Sequence, residues 1–267
     1  MRLSNLSRRT LAVFSVLVVV FLSAPLLVII LFAFGKSTIQ TFPIRHWTLS
    51  WFSVAWHDPA VRSALILSVK AGVLATAVAL VLGTLVAFGI HRFTFFGRNT
   101  VSLLLVLPIA LPGIVTGLAL QSAIILSGIP FSIYTIIIGH TTFCIVVVYN
   151  NVIARLRRTS MSLIEASGDL GATPIQTFRL VTVPMLRTAL IAGALLAFAL
   201  SFDEVIVTTF TAGAQNTLPI WIFGAIRLGQ QLPEVNAVVT GVLILTLLPI
   251  AYAARVASGE RVRRTAD

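Results

Sequence analysis

The chain has 267 residues, of which 58% are apolar and only 10% charged, with a mean hydropathy of +1.02; an average soluble domain carries about 25% charge. A soluble globular chain is therefore excluded and an integral membrane protein expected. The formal net charge of +11 would by itself fit a nucleic-acid binder, but the placement of the basic residues along the chain argues against one.

The N-terminal MRLSNLSRRT, residues 1–10, reads as a basic tail, followed by a mostly apolar run from Leu11 to Phe34. Ser23-Ala24-Pro25 resembles a processing site, yet the run exceeds the roughly 7–15 residues of a signal-peptide core, and further apolar segments follow. A retained first span is expected. A spanning helix needs about 20 apolar residues, and spans are predicted at 11–34, 62–90, 100–127, 131–153, 187–211 and 235–256. From Asn99 to Ala154 there is no Asp, Glu, Lys or Arg, and Ser127-Gly128-Ile129-Pro130 divides this stretch in two. Pro108, Pro112 and Gly113 predict kinks in the third span, because two prolines four apart interrupt one helical ladder.

The predicted fold is thus all-α, a six-helix polytopic membrane domain over 11–256 with short tails at 1–10 and 257–267. With the N-terminus inside, the cytoplasmic segments hold Arg2, Arg8, Arg9, Arg92, Arg98, Arg155, Arg157, Arg158, Arg179, Arg187, Arg255, Arg261, Arg263 and Arg264, fourteen of the nineteen basic residues. The positive-inside rule then places both termini in the cytoplasm. The net charge is a topology signal and a grip on anionic lipid, and no nucleic acid is needed. The outside loop 35–61 carries Trp47, Trp51 and Trp56, either an interfacial aromatic belt or a docking surface. Residues 211–234 are a candidate for dipping back into the membrane. Cys144 lies in the apolar run FCIVVV, and the four histidines show no ligand spacing, so neither a disulfide framework nor a metal site is expected.

One polar passage, IEASGDLGATPIQTFRLVTVP at 164–184, falls in the cytoplasmic segment 154–186. Ser162 with Glu165 forms a capping box, predicting a short helix to about Leu170. Gly171 suits the left-handed position after it. Thr173 with Gln176 forms a second box, Pro174 fits the first helical position, and Pro184 is placed to end that helix. The expected result is a helix–turn–helix knuckle lying parallel to the membrane, either a partner's docking element or an ordinary amphipathic loop resting on lipid. Leu163, Ile164, Leu170, Ile175, Phe178 and Leu180 are expected to pack it against the bundle.

Glu165-Ala166-Ser167, three residues, Gly171, nine residues and Val181-x-Val183-Pro184 resemble the EAA loop of ABC transporter inner-membrane permeases of the binding-protein-dependent importer type. Two positions depart from that pattern: Ser167 stands where Ala is common, and Val183 where Leu is usual. The resemblance implies that Glu165, Ala166, Ser167, Gly171 and Pro184 belong to a coupling element seated in a groove of an ATP-binding subunit. It also implies a second homologous permease, two ATP-binding subunits that carry ATP and Mg, and an extracytoplasmic substrate-binding protein, all at a bacterial inner membrane. The chain has no G-x-x-x-x-G-K-[ST] loop of its own. No cofactor is expected in this chain, and a non-catalytic subunit is.

LSFDEVIVTTFTAG (200–213), LPIWIFG (218–224) and PEVNAVVT (233–240) resemble the second permease subunit of spermidine/putrescine importers. Asp203 and Glu204 fall inside the predicted fifth span, where acids are costly and usually face a pathway. With a helix starting near 187, Asp203 lies about 24 Å from the cytoplasmic end. These acids either line a cation path or pair with Lys70, Arg62 or Arg227. The same importer class also carries iron, sulfate or amino-acid-like solutes. A stand-alone secondary transporter would favour inverted repeats, and none is evident.

Overall fold

A computed structural model describes residues 5–158, 162–229 and 231–246. The described chain is helical, with one isolated backbone bridge between Gly35 and Trp47. It divides into two compact units, one formed by 1–62 with 222–267 and the other by 63–221.

In the first unit, α1 (Asn5–Ala33) is apolar on every side and largely exposed, including Phe14, Phe21 and Leu22. A helix apolar all round is built for lipid or for partner helices. The loop after it is fastened at Gly35, whose carbonyl accepts the Trp51 indole N–H at 2.9 Å, and the Phe34 and Phe52 rings meet at 5.3 Å, tilted by 45°. Trp51 lies on α2 (Ser50–His57), while Trp47 and Trp56 are exposed.

The second unit holds the core. Ala79, Ala87 and Ile90 of α3 (Pro59–Arg92) pack with Phe143, Val148, Val152 and Leu156 of α6 (Ile133–Leu156), and with Leu186 and Ala197 of α9 (Val183–Phe202). Small residues set the spacing. A Cβ on Gly83 would stand 2.9 Å from the Ile145 carbonyl, so the Gly lets two helix backbones approach, as membrane helices commonly do.

The third predicted span, 100–127, bends more sharply than a kink: α4 (Arg98–Ala110) and α5 (Gly113–Leu126) meet at 104°. Pro112 is the cause at the break, since Leu111 before it is forced extended at ψ 147°. Pro108 stays within α4, so only one of the two prolines breaks the helix. Gly113 and Gly117 lay α5 against Ile206 and the Phe210 ring of α10 (Ile206–Thr211).

The fifth predicted span, 187–211, is also revised. It begins earlier, at α8 (Pro174–Thr177), passes through a π turn (Phe178–Thr182) into α9, stops at Phe202 and resumes as α10. Pro184 therefore ends nothing. It sits in the first turn of α9, where a missing N–H is tolerated. Helices at Leu218–Leu228 (α11) and Leu232–Thr246 (α12) follow, α11 occupying the segment expected to dip back; the remainder of the predicted sixth span, 247–256, and the 257–267 tail lie outside the described residues. Among the described residues four helices are long and apolar enough to cross a membrane, or five with the bent pair taken as one. A sixth crossing is not established among them.

Candidate functional site

Two features of the second unit stand out from its apolar packing: a capped knuckle before α9 and an acidic break after it.

At Gly171 and at Thr173 the knuckle follows the local grammar of its sequence. α7 runs Ser162–Asp169 with Ser162 as its first residue; the position before it lies outside the described residues. The helix ends in a Schellman turn: Ala172 N–H donates to the Ser167 carbonyl at 3.0 Å and Gly171 N–H to Gly168 at 2.9 Å. Gly171 takes φ +82°, with open space where a Cβ would stand, so backbone conformation rather than crowding selects glycine there. Thr173 N–H then donates to Gln176 Oε1 at 2.8 Å, Gln176 N–H returns to Thr173 Oγ1, and Pro174 opens α8.

Ser167, read in the sequence as a small replacement for Ala, joins the two arms. Its hydroxyl donates to the Ile164 carbonyl at 2.8 Å, so the 2.9 Å contact with Thr177 Oγ1 is one in which Ser167 accepts. Thr182 Oγ1 donates to the Thr177 carbonyl five residues back, reinforcing the π turn. Glu165, Ala166 and Gly171 are all exposed on the outer side, with Asp169.

The expected packing of the apolar knuckle residues is corrected. Leu170 is 88% exposed and Ile175 79%, and Leu180 and Leu163 are exposed too. Leu170 and Ile175 flank the turn, where a short segment has only one side to bury. Phe178 does meet the bundle, edge-on to Phe88 at 5.7 Å, and Ile164 lines a cavity of about 320 Å³ with Phe88, His91, Arg92 and Leu156. The knuckle thus rests on the ends of α3 and α6 by a narrow footing and presents an apolar tip outward.

The acidic break lies at the far end of α9. Asp203 is its C-cap, with φ −90° and ψ −1°, and Asp203 N–H makes the last helical bond to the Ala199 carbonyl. Asp203 is exposed and Glu204 half-buried, in keeping with adjacent side chains that diverge. Glu204 is used locally: its Oε1 accepts the Val207 N–H at 2.9 Å, capping α10. From Arg187 to Asp203 the helix is unbroken, so the distance of about 24 Å along its axis stands.

A buried contact that sequence reading did not find, of His140 with Ser201 and Thr208, completes this region. His140 of α6 is buried, with Nδ1 2.6 Å from Ser201 Oγ and Nε2 2.7 Å from Thr208 Oγ1. Its partners lie some sixty residues away, and no spacing rule reaches that far. No group of three or more His, Cys, Asp or Glu among the described residues is arranged to hold a metal ion.

Comparison with known proteins agrees with this architecture. Residues 79–264 match the family model described as "Binding-protein-dependent transport system inner membrane component". The putrescine transport system permease protein PotI of Escherichia coli (strain K12) is 36% identical over 84% of this chain and 82% of its own length. The spermidine/putrescine transport system permease protein PotC of the same strain is 30% identical over 92% and 93%. PotC of Haemophilus influenzae is 28% identical over 88% and 91%. A crystal structure of a bacterial ABC transporter involved in the import of the acidic polysaccharide alginate aligns with a TM-score of 0.69, covering 95% of this chain and 99% of that one at 16% identity. At that identity the likeness speaks for the fold alone.

Proposed function

Because the chain belongs to the family of inner-membrane components of binding-protein-dependent transport systems, we propose that it is the polyamine-conducting half of an ATP-driven importer, with its knuckle seated on a cytoplasmic ATPase subunit. The observation that carries this reading is mechanical continuity. One helical rod runs from Pro174 at the knuckle, through the π turn, to Phe202 at the acidic break. A displacement applied at Pro174 would be carried to Phe202, next to Asp203, along unbroken helix, and such a rigid element is what transmission between distant sites requires.

Each end of the rod suits its task. Leu170 and Ile175 are exposed apolar side chains on a hydrogen-bonded turn; burying each in a partner's groove would contribute about 1.5–3 kcal/mol. Glu165, at the outer side of α7, supplies a carboxylate to polar groups at the rim of such a groove, and Ala166 permits close approach. Arg155, Arg157, Arg158 and Arg179 cluster in sequence around the knuckle, and by the positive-inside rule this supports a cytoplasmic position for that face and for both termini. At the other end, the exposed Asp203 carboxylate offers an ammonium group a partner it can leave again, since conduction needs contacts that hold weakly. Relatives named for putrescine and spermidine transport favour a polyamine over iron, sulfate or an amino-acid-like solute.

The complete importer would pair this chain with a homologous permease, two ATPase subunits carrying ATP and Mg, and a binding protein outside that meets the loop bearing Trp47 and Trp56. ATP-driven closure of the ATPase pair would open the path outward, and hydrolysis would return it inward. The test is ATP hydrolysis by the co-purified complex with its binding protein, with and without putrescine or spermidine. A several-fold rise on polyamine supports the reading. A rise only with another solute would keep the importer and discard the polyamine, and a chain that purifies alone and moves solute down an ion gradient would overturn both.

A further inference from the structure

We infer that His140 is the positioning residue of the translocation path: a single imidazole that bridges the break in the fifth span and thereby sets where Asp203 stands. The inference rests on the path reading of Asp203 for its functional meaning, although the bridge itself is a matter of geometry.

The break occupies residues 203–205. On its near side Ser201 belongs to the last turn of α9, and on its far side Thr208 belongs to α10. Chain continuity alone does not fix the angle between two helices joined by three non-helical residues. The His140 ring supplies the missing constraint, because it contacts Ser201 Oγ with one nitrogen and Thr208 Oγ1 with the other, at 2.6 and 2.7 Å. All three residues are buried: His140 is 1% exposed, Ser201 3% and Thr208 0%.

The hydrogen positions follow from donor accounting. Thr208 has one hydroxyl proton, and it is directed at the Glu204 carbonyl, 2.7 Å away. Toward His140 the same oxygen must accept, so Nε2 carries the ring proton. In the neutral ring Nδ1 is then the bare nitrogen and accepts from the Ser201 hydroxyl. One tautomer of a neutral ring satisfies every group, and the other would leave two lone pairs facing each other. The chain of bonds ends on the Glu204 carbonyl, within the break, so the ring reaches the acidic segment through Thr208.

The rest of α6 holds α10 in place for this contact. Thr135 Oγ1 lies 2.7 Å from the Thr211 carbonyl, and a Cβ on Gly139 would come within 3.1–3.2 Å of Thr211 and Val207, so α10 lies directly on the α6 backbone. One turn further along, the Cys144 thiol donates to the Ala197 carbonyl at 3.3 Å, fixing α9 to the same face. Thr135, Gly139, His140 and Cys144 form one stripe at helical spacing. Of these, His140 alone touches both sides of the break.

The experiment separates position from transport. In a Cys144→Ala background, Asp203→Cys in the full importer complex is labelled with a membrane-impermeant thiol reagent, with His140, His140→Leu and His140→Gln compared. Gln can accept from Ser201 through its amide oxygen and donate to Thr208 through its amide nitrogen. The expected result is a labelling rate changed at least threefold by His140→Leu and held within twofold by His140→Gln. With Asp203 intact, His140→Leu should raise the KM for putrescine more than it lowers kcat, with the Gln variant close to the parent. Should His140→Leu fail to assemble, Ser201→Ala and Thr208→Val each remove one contact, and each should shift the rate in the same direction. Unchanged labelling and KM in the Leu or hydroxyl variants, or a Gln variant as impaired as Leu, would overturn the positioning role. A labelling change alongside normal uptake by Asp203→Asn would uphold the bridge and remove the path reading instead.

Discussion

Ser167 and Thr177 meet through a 2.9 Å hydrogen bond that ties the first arm of the knuckle to the second, across the turn at Gly171. Ser167 is half-buried and Thr177 buried, so the bond stiffens the turn at its inner edge while the outer edge carries Leu170 and Ile175. Replacing Thr177 with Val removes the partner hydroxyl and costs about 1 kcal/mol of local stability. We expect solute moved per ATP hydrolysed to fall severalfold while hydrolysis itself continues. Equal transport-to-hydrolysis ratios in parent and variant would contradict a rigid-turn role.

Gly171 makes a graded prediction. Its φ of +82° strains a residue with a Cβ by about 1–2 kcal/mol, less for Asn, although the space around it is open. Uptake should therefore decline in the order Gly, Asn, Ala, Val. Measured initial rates that ignore this order would show that the left-handed turn is not required.

Leu170→Asp and Ile175→Asp alter side chains that are already exposed, so the protein should remain in the membrane at normal levels. Each should weaken co-purification with the ATPase by about 10- to 100-fold, the equivalent of burying one aliphatic side chain. Glu165→Ala should act in the same direction with a smaller effect. Full recovery of the ATPase with both Asp variants would place the contact elsewhere.

The two acids of the break should behave differently. Asp203→Asn keeps the size and removes the charge, and is expected to raise the KM for putrescine severalfold; Asp203→Glu should be milder. Glu204→Gln retains an oxygen for the Val207 N–H and should transport nearly normally, whereas Glu204→Ala loses the cap, at about 1 kcal/mol. Uptake kinetics of the four variants, normalised to protein in the membrane, check the distinction.

What was legible in the sequence was local. Thr173, Pro174 and Gln176 form the cap that their order requires, and Gly171 takes the left-handed position expected of it, because each obeys rules that act within one turn of chain. The apolar blocks likewise located α3 and α6 to within three residues at each end. The 104° bend at Pro112 was read only as a kink, since the residues on both sides are uniformly apolar and its angle is supported by Ile206 and Phe210, about ninety residues away. Pro184 was misplaced because a proline can either end one helix or begin the next, and the π turn before it joins the two. His140 was invisible for the same reason as the bend: its partners Ser201 and Thr208 are brought to it by packing alone.

The central claim, that the knuckle is the seat of the ATPase, is tested most directly by cross-linking with a short photoreactive reagent attached to a single thiol. In a Cys144→Ala background, a cysteine is introduced by Leu170→Cys and the reaction is followed in membranes containing the assembled importer, with and without ATP. The account predicts a cross-link to the ATPase subunit, with a yield that differs between the two nucleotide conditions. A position 170 thiol that stays equally open to a water-soluble reagent whether or not the ATPase is present would contradict it.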